Sequence, residues 1–162
     1  MNYAQIRQYD LANGVGIRTT LFVSGCKFNC PNCFNPEYQR FDYGKVWNRE
    51  VEDYFINLAN EEYVDGVSIL GGEPLMQDDD LFNLLVRIKT EVDKPVWLWT
   101  GYTFNEIPED KIKLLPYIAV IIDGRFIREK HHHSLRFRGS SNQRVIDIQK
   151  TLRSGNIELL KF

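Results

Sequence analysis

Thr19-Thr20-Leu21-Phe22-Val23-Ser24-Gly25-Cys26-Lys27-Phe28-Asn29-Cys30-Pro31-Asn32-Cys33 joins an apolar, β-branched run directly to three closely spaced cysteines. Residues 19–23 read as a strand. Cys26, Cys30 and Cys33 are the only 3 cysteines of the chain, at C-x3-C-x2-C. An odd count cannot pair within one chain, which excludes a disulfide scaffold. A reduced, intracellular, metal-binding cluster is the leading reading. A structural zinc site normally takes four protein ligands, often as two pairs. A 4Fe–4S cluster also takes four, usually all cysteine. Either way one position lacks a cysteine, and an iron left open can bind a substrate or cofactor directly. His131, His132 and His133 offer an alternative fourth ligand; the competing reading is an exposed polar loop.

Downstream of the cysteines the chain alternates. Val51, Tyr54, Phe55 and Leu58 share one helical face, with Asn48 as its cap. Val67-Ser68-Ile69-Leu70 is a short buried strand. Leu81, Leu84, Leu85 and Ile88 mark a second helix, whose start carries Asp78, Asp79 and Asp80. Those carboxylates suit the positive end of a helix dipole better than a magnesium site. Val96-Trp97-Leu98-Trp99 and Ile118-Ala119-Val120-Ile121-Ile122 are further strands, and Lys111–Leu115 a short helix stopped by Pro116. Trp97, Trp99, Ile118 and Ile121 read as core.

Apolar strands alternating with amphipathic helices predict βαβ units and a parallel α/β sheet. Four or five units fit; a closed eight-unit barrel needs about 250 residues and does not. The expectation is one domain over residues 1–162, built as an open, partial (βα) barrel. In such sheets ligands sit beyond the C-terminal strand ends. The cysteines, Gly71-Gly72-Glu73-Pro74, Thr100-Gly101-Tyr102 and Asp123-Gly124 all fall there. Gly14 and Gly16 form a lone G-x-G without the third glycine or preceding strand of a dinucleotide fingerprint, and read as a loop bordering the site. Arg18 reads as a partner-binding or salt-bridged residue.

The 162 residues have 43% apolar and 13% aromatic content, enough for a packed core and against disorder. No run approaches the roughly 18 apolar residues of a membrane span. The first ten residues lack the apolar stretch of an export signal, which points to the cytoplasm. A net charge of −2 makes no case for nucleic acid. Charge is unevenly spread: residues 124–162 hold nine basic and three acidic side chains. That basic segment suits an acidic partner or a polyphosphate, unless it is an ordinary solvated surface.

The C-x3-C-x2-C motif after a strand, followed by Gly71-Gly72-Glu73-Pro74, resembles the radical S-adenosylmethionine (SAM) superfamily. Asn13-Gly14-Val15-Gly16-Ile17-Arg18 ahead of Leu21–Cys26 is similar to its glycyl-radical activating enzymes. Trp97–Tyr102, Ile122–Phe126 and Arg138-Gly139-Ser140-Ser141-Asn142-Gln143-Arg144 resemble the branch that serves the anaerobic ribonucleoside-triphosphate reductase. The resemblance covers residues 1 to about 145. It implies a partial (βα) barrel in which Cys26, Cys30 and Cys33 hold a 4Fe–4S cluster and SAM chelates the fourth iron. It implies that Gly71, Gly72 and Glu73 meet the SAM amino group and that Asn32, Cys33 and Phe34 lie beside the adenine. Thr100 and Asp123 are expected to help hold SAM or a nearby cation, or else to be turn residues. Asn32 departs from the superfamily pattern, in which an aromatic residue often precedes the third cysteine; Phe34 follows it instead. The implied reaction is reductive SAM cleavage to a 5′-deoxyadenosyl radical, which takes a hydrogen from a glycine of the reductase large subunit. The implied electron source is a one-electron donor such as flavodoxin. The alternatives left open are another small radical SAM enzyme, a non-catalytic iron–sulfur electron-transfer module and a zinc-binding interaction domain.

Overall fold

A computed structural model describes residues 1–162. Strands β1 (Asn2–Asp10) and β2 (Arg18–Ser24) form a hairpin that β3 (Lys45–Val46) extends. Helix α1 (Arg49–Asn60), β4 (Gly66–Gly71), helix α2 (Asp79–Arg87) and β5 (Val96–Trp99) follow. A 3₁₀ segment, Glu109–Tyr117, leads into β6 (Val120–Asp123), β7 (Arg144–Asp147) and helix α3 (Ile148–Ser154). The strands make one open seven-stranded sheet in the order β3-β1-β2-β4-β5-β6-β7. The central four, β2, β4, β5 and β6, are parallel, and the flanking strands are antiparallel to their neighbours. The fold is therefore α/β with a mixed sheet.

Residue alternation along the strands gives the sheet two different faces. Leu21, Val23, Val67, Ile69, Val96, Leu98 and Ile121 join the large core with Phe55, Leu81, Leu84, Leu85 and Ile88 of the helices. Trp97, Val120, Ile122 and Val145 form a smaller cluster on the other face, with Trp99, Phe137 and Leu160 against it. That second face has no helix over it and is left to loops and a cavity.

The helices start where the side chains direct. Asn48 Oδ1 accepts from Val51 N at 3.0 Å, and Asp78 Oδ1 from Asp80 N at 3.0 Å. The Met1 ammonium also binds Asp78 and Asp80, so the acidic run is a cap and an ion pair. Asp147 caps α3, which ends at Gly155 in the left-handed conformation, φ +74°.

Several expectations need correction. The cysteines follow the second strand, because the polar Asn2–Asp10 segment is itself a strand, paired with β2 in a hairpin and with β3 on its other side. Tyr54 is exposed; α1 is rotated so that Glu52 is buried, where it accepts from Trp47 Nε1 and Arg87. Pro116 lies inside the 3₁₀ segment Glu109–Tyr117 rather than ending a helix at Leu115. Arg18 is 1% exposed and has no ion pair in contact. Its guanidinium donates to Ser68 Oγ (2.6 Å) and to the carbonyls of Val15, Val67 and Pro95, and lies over Trp97. It is a structural cation, closed off from any partner. Ala12 and Asn13 border the cavity, but Gly14 and Gly16 turn away to pack on Arg18 and Asp65.

Candidate functional site

Parallel strands put four C-terminal ends on one edge, and four loops meet there: Gly25–Cys33, Gly71–Glu73, Thr100–Tyr102 and Asp123–Arg125. The cysteine loop is anchored before it turns. Gly25 N donates to Tyr38 O (2.8 Å) and Cys26 N to Gln39 O (2.9 Å). Gln77, buried and not marked by any sequence motif, donates to Ser24 O at 3.0 Å. Asn29 and Asn32 take left-handed backbone conformations, φ +49° and +58°. Asparagine tolerates that region better than other non-glycine residues, which lets a short loop wind between its thiols.

Gly71 and Gly72 are required by the loop's own packing. A Cβ on Gly71 would meet Val23 O at 2.6 Å, and one on Gly72 would meet Gly25 O at 2.6 Å. Gly72 N and Glu73 N donate to Val23 O and Gly25 O, both at 2.8 Å. The two loops are thus stitched backbone to backbone, and the glycine turn is held directly beside the cysteines.

Glu73 is 1% exposed. Its carboxylate accepts from Leu75 N (2.9 Å), Thr100 Oγ1 (2.8 Å) and Gly101 N (2.7 Å). It therefore caps the turn after β4 and ties it to the loop after β5. Burial pushes the carboxyl up to about 7, against the pull of those three donors. Asp123, equally buried, accepts from Phe104 N at 2.8 Å and from the fork of Arg144.

Cys26, Cys30 and Cys33 line one cavity of about 560 Å³ together with Phe34, Gly71, Gly72, Glu73 and Thr100. Of the sequence-derived candidates, Asn32 and Asp123 lie outside its wall. Asn32 instead accepts from Arg128 at 2.8 Å, and Asp123 faces an adjoining polar cavity. His131, His132 and His133 sit at the exposed rim; His131 Nδ1 is 2.6 Å from Gly139 O and its ring packs on Phe34 and Phe126. Phe28 and Arg125 were not marked by the sequence reading. Phe28 sits between two cysteines, edge-on to Tyr102, with the Arg125 guanidinium 4.4 Å from its ring centre.

The donor set fits a three-thiolate cluster. All three cysteines line the same cavity and no fourth cysteine exists. No three His, Cys, Asp or Glu side chains are gathered as ligands of a single ion would be. The cavity volume is within the range that holds a small-molecule cofactor. Burial pushes the Cys26 thiol up to about 11 and raises Cys30, so metal uptake must displace protons from both at neutral pH. No helix is long and apolar enough to cross a membrane.

Residues 12–146 match the family model of a 4Fe-4S single cluster domain. The chain is 39% identical over 150 residues to the anaerobic ribonucleoside-triphosphate reductase-activating protein of Escherichia coli (strain K12), covering 90% of this chain and 97% of that one. The Vibrio cholerae protein of the same name is 41% identical over 148 residues, with 88% and 96% covered. That of Enterobacteria phage T4 is 34% identical, with 90% and 93% covered.

Proposed function

This chain belongs to the family of anaerobic ribonucleoside-triphosphate reductase-activating proteins, and from that premise we propose that it installs a glycyl radical in the large subunit of that reductase. In this reading Cys26, Cys30 and Cys33 would hold a 4Fe–4S cluster, three thiolates for four irons, and SAM would bind beside it in the same cavity. When bound, the cluster supplies the electron that cleaves SAM to methionine and a 5′-deoxyadenosyl radical. The observation that carries the reading is three thiols, and no fourth, on the wall of a cavity that the Gly71–Gly72 turn also lines.

The protein's own residues bind, orient and shield. The Gly71–Gly72 backbone has no side chain between it and the cavity, so its polar groups are accessible to the methionine ammonium. Glu73, engaged by Thr100 and Gly101, supports that turn and leaves Thr100 at the cavity wall. The backbone of Cys33 and Phe34 is the proposed adenine contact, with the Phe34 ring, 63% exposed, at the cavity edge and Asn32 adjoining them outside the wall. Asp123 acts here through Arg144 and Phe104, holding the turn that follows β6 rather than touching the cofactor. The uncovered sheet face, with Arg7 and Phe22 on one bank of the cavity and Phe137 and Arg138 on the other, is where the glycine-bearing segment enters. The same open face fits the partial (βα) barrel of radical SAM enzymes. We assign the donor role to a one-electron carrier such as flavodoxin and the setting to the cytoplasm.

The test is direct. The chain is reconstituted with iron and sulfide without oxygen, reduced and given SAM. Methionine and 5′-deoxyadenosine are expected, and a glycyl radical signal once the reductase is added. An intact cluster that yields no cleavage product sinks the reading.

A further inference from the structure

The Arg138–Arg144 segment does more than border the cavity and bind Asp123. Three consecutive side chains in it grip three consecutive residues of the facing turn, in reverse order. Asn142 Nδ2 donates to Arg125 O (2.8 Å), Gln143 Nε2 to Gly124 O (2.8 Å), and Arg144 Nε to Asp123 Oδ1 (3.0 Å). Backbone pairing of β6 with β7 ends at the Asp123–Arg144 pair. From there on, side chains continue the ladder. The clamp is itself braced: Gln143 Oε1 accepts from Gly139 N (2.8 Å) and Ser140 N (3.1 Å), and Arg138 donates to Gln143 O. Gly124 N donates to Tyr102 O, and Asp123 accepts from Phe104 N, so the turn is fixed from the β5 side as well.

The clamp fixes the residue it reaches last. Arg125 has no ion-pair partner within contact distance, although nine other arginine and lysine side chains do. Its guanidinium instead stacks on Phe28, between Cys26 and Cys30, and lines the cysteine cavity. Phe28 is wedged on Gly101, where a Cβ would come within 2.6 Å of the ring.

We propose that Asn142, Gln143 and Arg144 are positioning residues that hold Arg125 against the cysteine loop, where its charge raises the reduction potential of the cluster. The inference rests on the cluster reading above. Reduction adds a negative charge to the cluster, and a fixed cation nearby favours the more negative state. Solvent at the cavity mouth weakens the effect without changing its sign.

The test is a redox titration of the reconstituted protein, followed by the electron paramagnetic resonance signal of the reduced cluster, with iron content measured in parallel. Arg125→Gln should bind full iron and move the midpoint potential to more negative values. Gln143→Ala and Arg144→Gln should move it the same way by less, and Arg144→Lys should recover part of the shift. Should Arg144→Gln fail to fold, Arg125→Gln and Gln143→Ala decide the matter. Full iron with an unchanged potential in Arg125→Gln overturns the proposal alone. A wild-type chain that takes up no iron overturns the cluster reading, and this inference with it.

Discussion

The two ends of the parallel strands bury charged side chains, and Arg18 at one end and Glu73 at the other are treated in opposite ways. At the N-terminal end Arg18 is enclosed by carbonyls and by Ser68, with Trp97 beneath it. The β1–β2 loop closes over it through Val15 and Asn13. Burial pulls the guanidinium down to about 10, which still leaves it cationic at neutral pH. At the C-terminal end Glu73 is just as buried but stands on the wall of an open cavity, with a pKa near neutrality. One end uses its charge to lock the sheet. The other uses its carboxyl group to tie two loops together at the wall of a space. The difference follows from what each end must do: a fold needs one closed end, and a cofactor needs one open end.

Four measurements would sharpen or break that contrast. Cys30→Ala carries the largest effect: iron bound after anaerobic reconstitution should fall to background while far-ultraviolet circular dichroism stays that of the wild type. Full iron uptake would remove Cys30 from the ligand set. Arg18→Met should cost about 3–5 kcal/mol in urea unfolding, because the carbonyls of Val67 and Pro95 lose their donor. A loss under about 1 kcal/mol would mean that the N-terminal end is not locked by this side chain.

Glu73 predicts a pH dependence of opposite origin. Its folded-state pKa of about 7 lies above the ordinary glutamate value of 4.5, so between those values the folded protein keeps a proton that the unfolded chain has released. Stability attributable to this group is complete below about pH 4.5 and declines as pH rises through 7, by on the order of 3 kcal/mol. Urea midpoints of Glu73→Gln should lack that decline; an identical slope in both proteins would show that Glu73 does not carry it. Smallest is Asn48→Ala, which removes the α1 cap and should cost about 1 kcal/mol without altering iron content. Any loss of iron in that variant would extend the functional end beyond the cavity.

The parallel core was legible because short apolar runs such as Val67–Leu70 and Val96–Trp99 carry their own signal. The hairpin strand β1 was not. Asn2, Gln5, Arg7 and Gln8 dilute its pattern, and its pairing with β2 is broken by two irregularities. Strand β7 and helix α3 were missed for a similar reason: Arg144–Asp147 is extended only because β6 lies beside it. At the site, the cysteines and Gly71–Gly72 stood out by type and spacing. Arg125, Phe28 and Gln77 did not, since an arginine, a phenylalanine and a glutamine have no default role until their neighbours are known.

The sequence by itself determined the ligand chemistry and the open fourth position, because thiol count and spacing are local properties of one loop. It also determined the parallel α/β core, because hydrophobic period is written along the chain. Only the tertiary structure decided what the charged residues do. Arg18, a candidate partner contact, became an internal brace. Glu73 became a tie between two loops, and Asp123 a tie to Arg144. A charged side chain takes its role from whichever donors and acceptors surround it, and most of those partners here come from residues 19 to 77 positions away.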